Sequence, residues 1–344
     1  MTEDGQPEVV VPSRRATIYD VAALAGVAPS TVSRAFARPG RVNADTAARI
    51  RAAADELGYR ANPVARALST ARTRMLALMI SDVTNPFYSQ LIRGAQIAAY
   101  QDEYTVLLAD AQESDVVERE SLERLLPAVE GIVIGSSRMS DSTLRVIAKQ
   151  RPTIVLNRQV SGIPSVVTDN MRGVRRAAEH LGALGHEHVT YVAGPEASWA
   201  DGMRWRALRE AGHELELHTR RAGPYAPTVE GGVAAARDLA GHALPTAVLA
   251  YNDLMAIGLM RTLQREGIRI PEDMSVIGFD NILPAELVSP GLTTVAAPLR
   301  TMGSTAVGNL VAMIRGALYQ TDGPFVLPTR LVERESTAAP RRRR

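Results

Sequence analysis

Between Thr17 and Arg34 the chain places two short amphipathic segments on either side of one glycine, in the run Thr17-Ile-Tyr-Asp-Val-Ala-Ala-Leu-Ala-Gly-Val-Ala-Pro-Ser-Thr-Val-Ser-Arg34. Thr17 and Asp20 stand at capping-box spacing, which predicts a helix start. Ile18, Val21, Ala22 and Leu24/Ala25 then recur at helical spacing. Gly26 sits where the chain must turn sharply, and glycine readily takes the positive φ such turns need. Val27 is expected in a small core. Pro29 suits the first position of a second helix, where a missing N–H costs nothing. That helix turns Ser30, Thr31, Ser33 and Arg34 outward, with Val32, Ala35 and Phe36 inward. A third helix is predicted from Ala44 to Leu57, capped by Asn43 and ended by Gly58, with Ala47, Ile50, Ala54 and Leu57 closing a three-helix core.

Short hydroxyls plus an arginine near the start of a second helix suit contacts to base edges and phosphates in a DNA groove. An ordinary helical hairpin of a larger domain can show the same pattern, and charge separates the two. From Arg14 to Arg74 eleven arginines face only Asp20, Asp45, Asp55 and Glu56, a net +7, whereas the whole chain carries +2. Basic charge is concentrated where a duplex would lie. Lys149 is the only lysine, so arginine abundance elsewhere reflects coding bias and carries no DNA signal of its own. Residues 62–68, Asn62-Pro-Val-Ala-Arg-Ala-Leu68, form one short helical pattern with an asparagine cap and proline at the first position. Seven residues are too few for a stable isolated helix, so this segment is expected to fold only against a partner.

These residues resemble the LacI/GalR family of bacterial transcription regulators. The resemblance rests on the Thr17–Val27 run, Thr31–Arg34, Val42–Ala44, Leu57-Gly-Tyr59 and Asn62-Pro63-x-Ala65-Arg66-x-Leu68, and extends over about residues 16–337. It implies DNA contact by Thr17, Tyr19, Pro29, Ser30, Thr31, Ser33, Arg34, Asn43 and Tyr59 in a helix-turn-helix domain (16–61), and by Asn62, Ala65, Arg66 and Leu68 in a hinge and linker (62–73). In such proteins paired hinge helices lie in the minor groove and a leucine wedges into the central base step. Leu68 matches that leucine, with Ala65 beside it, and the unstacking it causes is offset by contacts the kinked duplex permits. The family most often has serine after Gly-Val, where this chain has Ala28. The next two positions help choose the base sequence and here are Pro29 and Ser30. Proline offers no side-chain hydrogen bond, so no base code carries over.

After Arg74 the pattern changes. Apolar runs at Met75–Ile80, Val106–Ala109, Gly131–Gly135, Thr153–Leu156, Val189–Ala193, Ala247–Ala250 and Met274–Phe279 alternate with helical stretches, the first from Pro86. This reads as buried parallel strands of α/β units. About 270 residues exceed one such core, so two similar lobes are expected over residues 74–337. With no cysteine, the core holds no disulfide. The fold class is therefore α/β: an N-terminal helix-turn-helix and hinge helix, then a two-lobed core which the resemblance makes periplasmic-binding-protein-like. Residues 1–15 and the basic tail 338–344 are expected to be disordered.

Ligands of open α/β sheets bind beyond the carboxyl ends of strands. The residues there are polar: Asp82 through Tyr88, Asn157-Arg158, Asp169-Asn170, Asn252-Asp253 and Asp280-Asn281. The resemblance matches Phe87, Tyr88, Asn157, Arg204, Asn252 and Asp280 to effector-contacting positions. Acid, amide and guanidinium groups around an aromatic platform suit a sugar, with Trp199 and Tyr225 the candidates for that platform. Asp169-Asn170 also read as a helix cap, Asn252-Asp253 as cap and ligand group together, and Trp205 as core.

No catalytic constellation is present, and without cysteine thiol chemistry is excluded. His186-x-His188 finds no carboxylate to complete a metal triad, and His186 reads as structural. Gly131-x-x-x-Gly135 lacks the Lys-Ser/Thr of a phosphate loop. No metal and no cofactor is expected. The core alone would also fit an extracytoplasmic ligand receptor, but the acidic N-terminus has no apolar signal segment and no window is long enough to span a membrane. The expectation is a cytoplasmic homodimeric repressor on a near-palindromic operator of double-stranded DNA, controlled by a small effector, a sugar or its derivative. A purine-like corepressor or a protein partner acting on the same fold is the alternative. No leucine heptads follow Val332, so a dimer and not a tetramer is expected.

Overall fold

A computed structural model describes residues 16–37, 40–60, 72–241, 243–317 and 323–341. They divide into two compact units, the first within residues 1–73 and the second from Arg74 onward. Asn62, Ala65, Arg66 and Leu68, and the expected N-terminal extension 1–15, lie outside the described residues.

The first unit is three helices, α1 (Ile18–Ala25), α2 (Pro29–Ala37) and α3 (Ala44–Glu56). The Asp20 carboxylate accepts from both the backbone N–H and the hydroxyl of Thr17, each at 2.7 Å, and closes the start of α1. Gly26 ends α1 at φ 64°, a left-handed conformation that glycine adopts without steric cost. Val21, Val32 and Ile50, one from each helix, are fully buried at the centre. One expectation is corrected: α3 stops at Glu56, and Leu57 is 37% exposed. The core is closed instead by Tyr59, whose ring lies 5.9 Å from that of Phe36. The chain reverses at Gly58 (φ 60°), which turns Leu57 outward and Tyr59 inward.

The second unit holds two six-stranded sheets. The first lobe contains β1 (Met75–Ile80), α4 (Phe87–Gln101), β2 (Thr105–Asp110), α5 (Asp115–Leu125), β3 (Gly131–Gly135), α6 (Asp141–Ala148), β4 (Thr153–Leu156) and β5 (Ser165–Thr168). The second contains α7 (Asn170–Ala183), β6 (His188–Val192), α8 (Trp199–Glu214), β7 (His218–Ala222), α9 (Val229–Ala240), β8 (Ala247–Ala250), α10 (Asp253–Arg265), β9 (Ser275–Asp280), α11 (Leu283–Leu287) and β10 (Thr293–Ala296). The chain then returns to the first lobe as α12 (Leu299–Ile314) and β11 (Phe325–Leu327), and ends in the second as β12 (Arg330–Val332). Strand orders are β11-β5-β4-β3-β1-β2 and β12-β10-β9-β8-β6-β7. All pairings are parallel except β10 with β12.

Three chain crossings thus join the lobes, and they pack together. Asp169 N–H donates to the Leu327 carbonyl at 2.9 Å, and the Thr329 hydroxyl donates to the Asp169 carbonyl at 2.9 Å. A Cβ on Gly173 would come within 2.6 Å of Val295 Cγ1 and 2.8 Å of Thr329 Oγ1. Only glycine lets α7 start this close to the other two crossings.

The seven predicted strands are present, with ends shifted by a residue or so. β5, β7, β10, β11 and β12 did not read as strands. β7 is His-Thr-Arg-Arg-Ala on a sheet edge, and an edge strand exposed to solvent needs no apolar run; β11 and β12 have three residues each. The expectation of a disordered tail from 338 is also corrected. Ala338 donates to Ser275 Oγ at 3.0 Å and its carbonyl accepts from that hydroxyl at 3.0 Å, while Arg341 pairs with Asp273 at 3.5 Å. Residues 342–344 lie outside the described residues.

Candidate functional site

The polar face of α2 is built from the order Pro29-Ser-Thr-Val-Ser-Arg34. Burying Val32 turns Pro29, Ser30 and Arg34 to solvent, with Thr31 and Ser33 half-buried at the margin. The Arg34 guanidinium folds back on the Ser30 carbonyl (3.2 Å) and hydroxyl (3.4 Å), so one exposed cluster carries hydroxyl and cation together. Tyr19 is 70% exposed. Three other predicted contact residues have local work: Thr17 is held by Asp20, the Asn43 side chain caps α3 by accepting from Asp45 N–H at 2.9 Å, and Tyr59 packs on Phe36.

In the second unit the carboxyl ends of β1, β2, β3 and β4 face those of β8 and β9 across a cleft. Phe87, Tyr88 and Asn157 line it from the first lobe, and Arg204, Asn252 and Asp280 from the second. Trp199 lies in a small adjoining cavity with Asn157, Arg158 and Ser198. Tyr225 is the exception. It is not among the lining residues; its hydroxyl donates to Asp238 at 2.8 Å and its ring lies over Gly223. The Pro-rich loop that carries it folds back on the second lobe, so Tyr225 is not the platform expected. A roomier pocket, about 370 Å³, lies at the opposite end of β6 and β7 beneath His188 and His218, away from the strand carboxyl ends.

Arg204 organises the second-lobe wall. Its Nε donates to Asn170 Oδ1 at 2.9 Å, Nη1 donates to the Tyr251 carbonyl, and Nη2 lies 3.7 Å from Asp280 Oδ1. The guanidinium carbon sits 3.5 Å from the Phe279 ring centroid and 5.0 Å from that of Tyr251, a cation–π arrangement that helps hold a buried cation. Asn170 therefore does more than start a helix; Asp169 supplies the cap, accepting from Arg172 N–H at 3.0 Å. Asn252 caps α10 through Met255 N–H (2.9 Å) and donates to the Pro227 carbonyl (2.9 Å).

Asp280 holds φ at 112°, a backbone conformation costly for a residue with a Cβ. Burial pushes its carboxyl well above the ordinary range against the pull of Arg204, and neighbouring Asp253 pushes the same way. Asp253 is wholly buried behind it, accepting from Thr294 Oγ1 (2.6 Å) and Ile282 N–H (2.9 Å), and burial raises it to about 7. On the first lobe the Tyr88 hydroxyl is 2.6 Å from Ser81 Oγ, and burial raises the phenol to about 12. Asn157 donates to Ser136 Oγ at 3.3 Å. Outside the cleft, Trp205 stacks on Tyr191 at 5.9 Å. His186 is buried against Thr246, Ser275 and the Ala338 carbonyl, each at 3.0 Å.

The sequence reading missed Glu113, Ser136, Arg138 and Tyr251, all of which line the cleft. Each follows a strand end: Glu113 after β2, Ser136 and Arg138 after β3, Tyr251 after β8. The rule that found Asn157 and Asp280 reaches these as well, provided it is applied to every strand. Among the described residues no group of three or more His, Cys, Asp or Glu is placed to hold a metal ion, and no helix is long and apolar enough to cross a membrane.

Residues 17–62 match the family model for bacterial regulatory proteins of the lacI family, and residues 178–337 match that for a periplasmic binding protein-like domain. The chain is 32% identical to the HTH-type transcriptional regulator DegA of Bacillus subtilis, over 94% of this chain and 98% of that protein. Its fold is similar to the crystal structure of the Lac repressor dimer bound to operator and the anti-inducer ONPF, with a TM-score of 0.85, 27% identity, and coverage of 95% of this chain and 100% of the other. It is also similar to a LacI family regulator from Enterococcus faecium with bound ribose, with a TM-score of 0.69, 31% identity, and coverage of 77% and 99%.

Proposed function

The chain belongs to the LacI family of bacterial regulatory proteins, and from that premise we propose that it is a cytoplasmic, non-enzymatic repressor whose hold on a near-palindromic operator is set by a sugar-type ligand between its two lobes. The observation that carries this reading is the cleft itself. In a chain that begins with a helix-turn-helix, two sheets aim their strand ends at one site lined by Asn157, Arg204, Asn252 and Asp280. Those groups offer amide, guanidinium and carboxylate partners to hydroxyls, and Tyr251 and Phe87 supply apolar surface to C–H faces. The relative from Enterococcus faecium binds ribose.

The cleft's cavity volume is about 30 Å³, room for a water or two. A sugar therefore enters only if the lobes part, and the three packed crossings at Asp169, Ala297 and Thr329 are where the angle between them changes. A ligand shifts that equilibrium only by its difference in affinity for the two arrangements. If the ligand-preferred arrangement separates the hinge segments of a dimer, it induces; if it draws them together, it corepresses. A second copy of the chain is the partner proposed, and exposed apolar side chains such as Tyr100 (84%), Leu108 (44%), Leu283 (68%) and Leu287 (73%) are the candidates for its contacts. In the helix-turn-helix, Ser30, Thr31, Ser33 and Arg34 are assigned the groove, with Tyr19 and Pro29 at its margin.

The test is fluorescence anisotropy of full-length protein on operator DNA selected from a random pool, repeated with ribose, glucose, galactose, cellobiose and nucleobases. One sugar class that changes operator affinity supports the reading. A response to nucleobases alone moves the ligand to the purine class, and failure to select any DNA overturns the repressor assignment.

A further inference from the structure

On the first-lobe wall, a feature outside the matched effector positions is an ion pair. Arg138 Nε donates to Glu113 Oε2 at 2.7 Å, and Nη2 lies 2.6 Å from the same oxygen. The Arg138 side chain is 7% exposed and that of Glu113 25%. Both groups are held from behind. Arg138 N–H donates to the buried Glu118 at 3.0 Å, while Arg158 Nη1 donates to the carbonyls of Ser137 (3.2 Å) and Met139 (2.6 Å), on either side. Glu113 N–H donates to the Ser81 carbonyl at 2.6 Å, and Gln112 and Glu113 are both left-handed, at φ 51° and 57°. Residues with a Cβ avoid that conformation unless the surroundings impose it. The turn after β2 is thus set to place a carboxylate on Arg138.

Because both Arg138 nitrogens engage one oxygen, Arg138 Nη1 and Glu113 Oε1 have no protein partner among the described residues. The wall offers a donor and an acceptor side by side. A ligand hydroxyl both accepts and donates, so a hydroxyl pair satisfies the two together. A phosphate or carboxylate brings only acceptors at neutral pH; it would bond Nη1 while setting its charge against Oε1. On the opposite wall Arg204 is likewise faced by Asp280, so neither wall presents an unopposed cation.

On the reading that the cleft takes a sugar-type ligand, we propose that Glu113 is a specificity-determining residue which, by neutralising Arg138, selects an uncharged polyhydroxyl ligand over its phosphorylated or carboxylated counterparts. The discrimination is partly repulsive: it works by opposing the wrong ligand as well as by holding the right one.

The experiment is calorimetric titration of the full-length protein with D-ribose, D-glucose and cellobiose, and with ribose 5-phosphate, glucose 6-phosphate and glucuronate. The wild type is expected to bind a neutral sugar about tenfold or more tighter than its anionic counterpart, and Glu113→Gln to narrow or reverse that ratio by about tenfold, as expected for a charged hydrogen-bond partner. The double variant E113Q/R138M, with neither charge, is expected to restore the neutral preference; failure to restore it contradicts the charge account. Thermal unfolding and operator binding report whether each variant folds, and the wild-type comparison needs no variant. If the wild type binds the phosphates or glucuronate as tightly as the neutral sugars, or Glu113→Gln leaves the ratio unchanged in a folded protein, the charge selection is overturned and the sugar reading stands. If none of the six compounds binds, the sugar reading fails and the selection with it.

Discussion

Arg204 Nη2 stands 3.7 Å from Asp280 Oδ1, with both side chains under a tenth exposed. The arginine is already committed to Asn170 and to the Tyr251 carbonyl. Asp280 is therefore the less encumbered member of the pair, a carboxylate at a cleft wall in a backbone conformation its neighbours impose. Breaking a buried pair by deleting one partner is costly, whereas keeping the shape and losing the charge costs less.

Asp280→Asn is accordingly expected to fold and to bind operator as the wild type does, while its ligand affinity falls about tenfold to a hundredfold, the usual worth of a hydrogen bond to a charged group. Anisotropy on operator with and without ligand checks both halves. An undiminished ligand response would move the binding site away from this wall.

Asp253 carries a pH dependence whose sign is set by burial. Its carboxyl titrates near 3.8 in an exposed setting and near 7 in the fold, so between those values the folded state holds a proton that the unfolded chain has released. The contribution to stability is full at low pH and is lost as pH rises through about 7. Asp253→Asn removes that titration, so the melting temperature of the variant minus that of the wild type should grow between about pH 5 and pH 8, by the equivalent of up to a few kcal/mol. His186, which burial lowers, acts with the opposite sign and cancels in the difference. Parallel melting curves for the two proteins across this range would contradict the assignment.

Arg34→Ala is expected to weaken operator binding at every ligand concentration. If its guanidinium meets a phosphate, the slope of log affinity against log salt drops by about one; if it meets a base edge, specificity relaxes at one position at a cost of about 1–3 kcal/mol. Unchanged affinity would show that α2 does not face the duplex through this residue.

Leu68→Ala tests the hinge wedge implied by the family resemblance. Specific binding should fall far more than nonspecific binding, because only the kinked operator repays the cost of unstacking. Equal losses on operator and random DNA would remove the wedge.

Ile50→Ala in the three-helix unit should cost about 2–5 kcal/mol, as for other large-to-small changes at fully buried aliphatic positions. So small a core has little to spare. Loss of operator binding with the ligand response of the second unit preserved is the expected signature, read by parallel DNA and ligand titrations.

Much of this was legible in the residue order. The Thr17–Asp20 cap, Gly26 at the turn and the inward spacing of Val21, Val32 and Ile50 follow from backbone sterics and helical period, which act within a few residues. The seven predicted strands follow from apolar runs, which burial on both faces explains for all but the sheet-edge β2. Leu57 and Tyr59 exchanged roles because Gly58 reverses the chain between them, and helical spacing carries no information past its own end. β7 stayed hidden because an edge strand needs no apolar pattern.

The amino-acid sequence by itself determined the two kinds of unit, the concentration of basic charge at one end and most of the polar groups at the strand ends. Tertiary structure alone decided which of those groups meet: that Arg138 takes its charge partner from Glu113, 25 residues away, that Arg204 spans Asn170, Tyr251 and Asp280, and that Tyr225 turns aside to Asp238. The reason is physical. Secondary structure is chosen by local sterics and periodicity, but pairing between side chains distant in sequence depends on how separate strands and helices assemble within each lobe, and no local pattern records that assembly.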